Sequence, residues 1–345
     1  MPESVLEWGI ALILTLQGLG DWLIGPMNIF TFTGNPEFYL LILPIIYWCW
    51  DSRLGLRVGI IFLLGLAVNL IIKVAIHDPR PYWVDPRVHL LTRPESSFGI
   101  PSGHSQNAVA IWGMLVLYLA KGWAWTAGVL LIFFIGLSRM YLGVHFPTDV
   151  FAGWGLGIIG LLLILFLERP VMSQLNKLSE TVQVAIIFVV SLAIILIGGF
   201  ISNSVSGSWQ IPAEWVRNAA AQAPDHPIDP FSIDDIIVSG GTLFGFIGGA
   251  ILLNKRLDFD AGGRWTRRAG RFLVGAVGVF ILWQGLGAVF DLAAADKTML
   301  SYILRYIHYS LIGVWISAVG PLVFIRLGLA EGSIPSKQHA RNGQV

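Results

Sequence analysis

Long apolar segments dominate this chain, and they constrain its fold more than any other feature. Hydrophobic residues make up 55% of the 345 residues and charged residues only 12%, whereas an ordinary soluble domain has about 25% charged residues. A soluble protein must keep a polar surface in water, but helices of about 20 apolar residues suit a hydrocarbon core of about 30 Å. The sequence therefore predicts an all-α polytopic membrane protein.

The apolar segments predict nine membrane spans, or ten if the N-terminal segment also crosses the membrane. The nine spans are residues 36–50, 55–76, 104–120, 123–142, 149–167, 182–202, 235–254, 271–291 and 302–327. Residues 5–34 are apolar but interrupted by glycine, proline and aspartate, which predicts one or two short interfacial helices, with one distorted span as the alternative. We expect a polar linker at 168–180 and a long loop at 203–234.

The basic residues predict how the chain is oriented in the membrane. Eight of the 22 Lys and Arg residues fall on one side of the predicted spans: Lys73, Arg80, Arg87, Arg93, Arg139, Arg217, Lys297 and Arg305. The larger set on the other side marks the cytoplasm by the positive-inside rule. The C-terminus is then cytoplasmic, and the loops that carry the smaller set face the periplasm, the exterior or an organelle lumen.

Three polar clusters interrupt the apolar pattern, each at the junction of an apolar run and a loop. They are Lys73 with Arg80-Pro81, Pro101-Ser102-Gly103-His104, and Ser138-Arg139 with His145 and Asp149. The predicted spans put all three clusters at one membrane face. Three cations at one face repel one another unless they bind an anion. The planar guanidinium group of arginine and the ammonium group of lysine both suit phosphate oxygens. The clusters therefore predict a phosphate-binding site, with Lys73, Arg80 and Arg139 as its cations.

The second cluster is typical of a helix start that binds an anion. Ser102 is a favoured N-cap residue, and Gly103 allows a ligand to approach the backbone. The free N–H groups of the first turn then point at the anion. We expect His104 to lie at the edge of this anion-binding helix start and to donate a proton to a leaving oxygen.

The third cluster predicts a nucleophile. His145 and Asp149 are four residues apart, so Asp149 can accept a hydrogen bond from one ring nitrogen and leave the other basic. We expect neither a metal nor a cofactor, because cations outnumber the candidate carboxylates at this face. A net charge of +1 also argues against a nucleic-acid partner.

Each of these residues has a simpler explanation when it is taken alone. A histidine at a helix end is more often structural, and an arginine at a membrane edge more often snorkels. A transporter is the alternative for the whole set, because intramembrane charges often line a transport pathway. These ionisable residues, however, cluster at one face and not at the midplane, which favours a catalytic site.

In this order and spacing, the three clusters resemble the motifs of the type 2 phosphatidic acid phosphatase superfamily over about residues 36–168. The resemblance implies a six-helix core and a metal-independent phosphomonoesterase or diphosphatase. It assigns His145 as a nucleophile that forms a phosphohistidine, Asp149 as its orienting group and His104 as the general acid. The phosphoryl oxygens would be held by Lys73, Arg80, Ser102, Gly103 and Arg139.

The resemblance also implies a division of the chain and a substrate class. We expect N-terminal interfacial or short membrane helices at 1–34, a catalytic transmembrane core at 35–168, about four additional transmembrane helices at 169–332 and a polar cytoplasmic tail at 333–345. The expected substrate is a lipid phosphate or a polyprenyl diphosphate in a cell inner or plasma membrane. A soluble sugar phosphate and a phosphotransfer reaction are the alternatives.

Two further features lie outside the clusters. Gly241, Gly245 and Gly249 share one helix face, which favours close helix packing in lipid. Arg305 and His308 lie on one face of the last span, near its outer end. We interpret this pair as snorkelling side chains, with contact to a substrate headgroup as the alternative.

Overall fold

The computed structural model describes residues 2–254 and 257–333, and in this part the chain is helical apart from two very short strands. The predicted tail beyond residue 333 lies outside the described residues, as do four basic residues of the charge count: Lys255, Arg256, Lys337 and Arg341. Strands β1 (Asp258–Phe259) and β2 (Gly332–Ser333) pair antiparallel.

Fifteen α-helices follow one another along the described chain. They are α1 (Glu3–Gln17), α2 (Ile24–Phe32), α3 (Pro36–Ile45), α4 (Ser52–Ile76), α5 (Pro81–Val84), α6 (Gly103–Leu119), α7 (Gly122–Tyr141), α8 (Pro147–Leu175), α9 (Glu180–Ser208), α10 (Ala213–Gln222), α11 (Asp234–Asn254), α12 (Trp265–Phe280), α13 (Gly287–Ala293), α14 (Met299–Val314) and α15 (Gly320–Arg326). A 3₁₀ turn precedes α2 at Asp21–Leu23, and π-helical turns occupy Ile46–Trp50, Ile281–Leu286 and Trp315–Val319.

Seven helical segments of the described chain are long and apolar enough to cross a membrane. They are Ser52–Val84, Gly122–Tyr141, Pro147–Leu175, Glu180–Ser208, Asp234–Asn254, Trp265–Ala293 and Met299–Arg326. The predicted all-α polytopic membrane fold is confirmed. The count by length and composition is seven, or eight with a bent N-terminal pair, against the nine or ten predicted. The difference arises because α6 has 17 residues and the predicted span 36–50 consists of α3 and a π turn.

The N-terminal segment consists of two helices, α1 and the pair formed by the 3₁₀ turn and α2, which meet at an angle of 89°. Gly20 lies at the bend with a φ of 106°, a backbone conformation that glycine adopts without steric cost. The bent pair is compatible with two short helices and with one broken span, so both N-terminal interpretations stay predictions.

Two predicted loops are shorter than expected. Helix α8 continues through Pro170 to Leu175, so the linker predicted at 168–180 is mostly helix. Helix α9 runs on to Ser208 and α10 occupies ten residues of the loop predicted at 203–234. The extensions of α8 and α9 arise because polar residues at the ends of a span can remain helical where water or headgroups satisfy their side chains, whereas α10 is a separate short helix.

The chain forms two compact units, and every residue of the predicted site belongs to the first. Unit 1 comprises Met1–Tyr39, Leu64–Leu167 and Leu196–Ile236, and unit 2 the remainder. Unit 1 has a core of buried apolar residues directly around the polar clusters, which includes Trp83, Phe98 and Phe146. In unit 2, Gly241, Gly245 and Gly249 lie so close to α14 and the π turn after it that an added Cβ would contact Tyr306, Ser310 and Ser317. The predicted packing role of these glycines is confirmed.

Candidate active site

The predicted histidine–aspartate pair is formed at the start of α8. His145 Nδ1 lies 3.1 Å from Asp149 Oδ2, and both side chains are buried. The same carboxylate oxygen accepts a hydrogen bond of 2.9 Å from the backbone N–H of Phe146. Asp149 is therefore fixed in orientation before any ligand binds.

The second nitrogen of His145 faces an arginine, which fixes the tautomer of the ring. His145 Nε2 lies 3.3 Å from Arg80 Nη1. A guanidinium can only donate hydrogen bonds, so Nε2 must be the acceptor and carries the lone pair. Nδ1 then carries the proton and donates it to Asp149. The ring therefore presents an unprotonated Nε2, which is the state in which an imidazole can act as a nucleophile.

Arg80 is fully buried and is held by the loop between α5 and α6. Its guanidinium donates to the carbonyl of Ser97 at 2.6 Å, the carbonyl of Val144 at 2.9 Å and the carbonyl of Phe98 at 3.1 Å. It also donates to the Glu95 carboxylate at 3.0 Å and to the Ser97 hydroxyl at 3.1 Å. Because the donors of a guanidinium lie in one rigid plane, these bonds fix the position and orientation of the Arg80 side chain.

Lys73, at the end of α4, shares a partner with Arg80. Its ammonium donates to the carbonyls of Phe98, at 2.5 Å, and Gly99, at 3.1 Å. The Phe98 carbonyl therefore accepts hydrogen bonds from both cations. Gly99 has no room for a side chain, since an added Cβ would lie 2.5 Å from the Pro79 carbonyl and 2.9 Å from Asp149 Oδ2. These contacts bring the first and third clusters together around residues 98–99.

Glu95 connects Arg139 to Arg80 and was not predicted from the sequence. One oxygen of its carboxylate accepts from Arg139 Nη2 and the other from Arg80 Nη2. Arg139 Nη1 donates to the Thr31 hydroxyl at 2.5 Å. Although burial alone would raise the pKa of Glu95, the charges of Arg80 and Arg139 outweigh it and lower that pKa. Glu95 is therefore an anion that offsets the positive charges of Arg80 and Arg139 in the free protein.

The second cluster starts α6 as predicted. Ser102 is the N-cap residue, and its hydroxyl accepts from the backbone N–H of Ser105. The Ser102 N–H donates to the Asp149 carbonyl at 2.9 Å, which fixes this helix start beside the third cluster. The His104 ring, in the first turn of α6, has its Nε2 2.7 Å from the side-chain oxygen of Asn35. Asn35 lies in the turn between α2 and α3, close in sequence to Thr31 in α2.

Two polar atoms of this site are buried without a hydrogen-bond partner among the described residues: Arg139 Nε and Asp149 Oδ1. Unpaired buried polar atoms are rare in folded proteins and costly. Both atoms belong to the predicted phosphate site. A bound anion can accept from Arg139 Nε, whereas Asp149 Oδ1 needs a donor such as an ordered water.

The segment 209–233 covers the loop that holds the cations. Phe98 packs against Trp209 and Phe231 with ring centroids 5.9 and 5.4 Å apart. The Asp229 N–H donates to the Ser96 carbonyl at 3.2 Å, and Asn218 in α10 donates to the Trp83 carbonyl at 2.9 Å. A cavity of about 260 Å³ remains under this segment, with Lys73 in its wall.

The described residues contain no group of three His, Cys, Asp or Glu side chains placed to hold a metal ion. The groups that do converge at this site are cations, a neutral histidine and two carboxylates that already have cationic or histidine partners. Such a donor set suits an anion better than Mg²⁺, which prefers several carboxylate or phosphate oxygens.

The environment of His145 sets the pH at which its ring is charged. Burial and the charge of Arg80 lower the pKa of His145 well below its ordinary value. A lowered histidine pKa means that the ring stays neutral below pH about 6.5, where an ordinary histidine is protonated. We expect histidine-selective NMR to show a neutral His145 ring at pH values below 6.5, with its signal identified by its loss in His145→Gln. Titration at or above the ordinary value would contradict this assignment.

Comparison with known proteins identifies two family models along the chain. The model described as "PAP2 superfamily" matches residues 54–171, which include all three clusters. The model described as "PAP2 superfamily phosphatase, transmembrane extension" matches residues 237–332. The segment 209–233 lies between these two matches.

Curated relatives include several membrane phosphatases. The chain is 34% identical over 155 residues to phosphatidylglycerophosphatase B of Bacillus subtilis, which covers 40% of this chain and 71% of that protein. It is 29% identical over 169 residues to rat sphingosine-1-phosphate phosphatase 1 and 31% identical over 106 residues to undecaprenyl-diphosphatase of Sulfolobus acidocaldarius. The match to the sphingosine-1-phosphate phosphatase covers 47% of this chain and 38% of that protein. The match to the undecaprenyl-diphosphatase covers 30% of this chain and 50% of that protein.

Two solved structures are similar over about half of the chain. A transmembrane PAP2-type phosphatidylglycerolphosphate phosphatase from Bacillus subtilis gives a TM-score of 0.42 at 27% identity and covers 49% of this chain and 88% of that one. Aquifex aeolicus LpxE gives a TM-score of 0.40 at 26% identity and covers 46% of this chain and 94% of that one.

Proposed function

Because this chain belongs to the PAP2 superfamily of integral-membrane lipid phosphatases, we propose that it removes a terminal phosphate from a lipid phosphate or a polyprenyl diphosphate. The reaction runs without a metal and through a phosphohistidine at His145. The site faces the periplasm, the exterior or a lumen, and the C-terminus is cytoplasmic, as the distribution of Lys and Arg favours.

The observation that carries this proposal is the position of His145 between Asp149 and Arg80. Its Nδ1 donates to a buried carboxylate, and its Nε2 is left unprotonated beside a guanidinium. In the first step Nε2 attacks phosphorus and the bond from phosphorus to the leaving oxygen breaks. In the free protein, burial and the charge of Arg139 lower the pKa of His104, so the negative charge of the bound phosphate is needed to keep a proton on this ring. His104 then gives that proton to the leaving oxygen, and Asp149 stabilises the charge that develops on the His145 ring.

The second step regenerates the enzyme with water. Neutral His104 takes a proton from a water molecule, whose oxygen attacks the phosphorus of the phosphohistidine, and the bond from nitrogen to phosphorus breaks. Lys73, Arg80, Arg139 and the helix start at Ser102–Gly103 would hold the phosphoryl oxygens in both steps. To reach these cations, the phosphate must displace the contacts that Glu95 and the Phe98 carbonyl make in the free protein.

A metal-free reaction predicts that chelators have no effect. We expect EDTA to leave the rate of phosphate release unchanged in detergent-solubilised protein, because the charge on the phosphoryl group is neutralised by side chains. A metal-dependent phosphatase in the same buffer serves as the control and should lose activity. Loss of activity that Mg²⁺ or Zn²⁺ restores would overturn the metal-free mechanism.

A substrate panel tests the proposed class. Purified protein in detergent micelles is given phosphatidic acid, phosphatidylglycerophosphate, sphingosine 1-phosphate, undecaprenyl diphosphate or glucose 6-phosphate, and released phosphate is measured. We expect at least one lipid substrate to be hydrolysed much faster than glucose 6-phosphate. A preference for the sugar phosphate would replace the proposal, and transfer of labelled phosphate to an acceptor other than water would identify a phosphotransferase.

A further inference from the structure

A second cavity lies in unit 2, far from the proposed chemistry along the chain. It has a volume of about 620 Å³ and is bounded by the π turn Ile281–Leu286, helix α13 and the first half of α14. This volume falls in the range of small-molecule binding sites, about 300–1,000 Å³. The cavity is lined by side chains of both charges and by aromatic rings, so it is neither an apolar gap nor a simple acidic patch.

His308 forms the inner wall of this cavity and does not snorkel as the sequence suggested. Its side chain is only 7% exposed, and Nε2 lies 2.9 Å from the Leu282 carbonyl, in the π turn. Gly287 allows the close approach, because an added Cβ would lie 3.2 Å from the His308 ring. π turns in α-helices frequently occur at functional sites, and here the turn and the buried ring together shape the cavity.

The charged groups of the cavity form two separate regions. Arg305, on α14, pairs with Asp296 at 3.3 Å and is partly exposed. Asp291, on α13, also lines the cavity. Among the described residues, Asp291 has no ion-pair or hydrogen-bond partner, and the apolar side chain of Leu292 beside it is exposed. The cavity therefore presents a guanidinium at one place and a carboxylate at another.

One end of the cavity lies at headgroup level. It lies where the spans Trp265–Ala293 and Met299–Arg326 are joined by residues 294–298. Large apolar side chains beside it are exposed, with Leu292 90%, Met299 74% and Leu300 51% accessible. Exposed apolar side chains of a spanning helix face lipid, so acyl chains can lie against this surface while a headgroup enters the cavity.

We propose that this cavity binds a phospholipid with a zwitterionic headgroup. Its phosphodiester lies against Arg305 and its ammonium group against Asp291, both of which line the cavity. An anionic headgroup fits less well, because two aspartates face one arginine in the cavity and like charges repel at short distance. The site is separate from the residues proposed for catalysis.

The test measures lipid binding and not turnover. Detergent-solubilised protein is incubated with phosphatidylethanolamine, phosphatidylglycerol or the soluble headgroup glycerophosphoethanolamine, and bound lipid is measured by native mass spectrometry. We expect phosphatidylethanolamine to bind at least tenfold more tightly than phosphatidylglycerol. Binding of the free headgroup with equal affinity would show that the site takes a soluble zwitterion and would overturn the lipid proposal.

Matched variants identify the site. Asp291→Asn and Arg305→Gln should each lower the occupancy of phosphatidylethanolamine at least tenfold. Asp225→Asn and Arg264→Gln change exposed residues of the same types outside the cavity and should leave it unchanged. His145→Ala should also leave lipid binding unchanged, which separates this site from the catalytic one. Unchanged occupancy in Asp291→Asn, or equal binding of the two lipids, would overturn the proposal.

Discussion

Replacing His145 by alanine should abolish phosphate release, with a loss on the order of 10⁴-fold or more, as expected when a covalent nucleophile is removed. The variant lacks the only atom that the proposed mechanism bonds to phosphorus. It also leaves Asp149 without one of its two hydrogen-bond donors, so its thermal stability should be measured beside its activity. His145→Gln provides the second variant, because its amide can still donate to Asp149.

Both variants should be inactive, and the glutamine variant should unfold closer to the wild-type temperature. His89→Ala is the control, since His89 is an exposed histidine in a neighbouring loop and its removal should leave activity intact. An acid-labile phosphoprotein should be trapped from wild-type protein and not from His145→Gln. Turnover by either variant near the wild-type rate would exclude the phosphohistidine.

Replacing Arg80 by lysine should lower the rate about 10²- to 10³-fold, the range seen when one preorganised donor to a developing anion is removed. Lysine keeps the positive charge but not the planar fork, and Arg80 uses that fork to bond Ser97, Phe98, Glu95 and Val144 at once. The lysine ammonium can satisfy only some of these partners. Inhibition by vanadate should weaken together with the rate.

Arg87→Lys is the matched control for this substitution. Arg87 lies seven residues further along, is largely exposed and pairs with Asp85 on the surface, where such pairs contribute little. It should therefore leave both the rate and vanadate inhibition unchanged. If Arg80→Lys behaved like this control, the charge of Arg80 would be sufficient and its fork geometry would have no catalytic role.

The site residues could be predicted from the sequence where their chemistry depends on local spacing. Ser102 begins a helix in a recognisable N-cap position, and the four-residue step from His145 to Asp149 allows their hydrogen bond. The membrane-spanning character of the fold followed from long apolar runs, which only helices can satisfy in lipid. The number of spans was less predictable, because short helices such as α3 and α6 have the same composition as full spans.

The partners of those residues could not be predicted. Glu95 lies 15 residues from Arg80 and 44 from Arg139 along the chain, and no local pattern links a carboxylate to cations at such distances. Thr31 belongs to the segment predicted to form short N-terminal helices, and Asn35 follows it directly; nothing in the sequence there indicates contact with Arg139 or His104. Gly99 stands out by no sequence pattern, because its closeness to the Pro79 carbonyl and Asp149 is created by the tertiary fold alone.

The segment 209–233 determines how this protein can be cut into parts. A fragment that ended at residue 171, where the first family match ends, would contain every residue proposed for catalysis. It would nevertheless expose Phe98 and Trp83, which Trp209, Trp215 and Phe231 cover in the whole chain. The Phe98 carbonyl anchors both Lys73 and Arg80. The segment that contains all proposed catalytic residues is therefore shorter than the segment needed to cover their supporting loop. An excised domain should extend at least to residue 236, where the first unit ends.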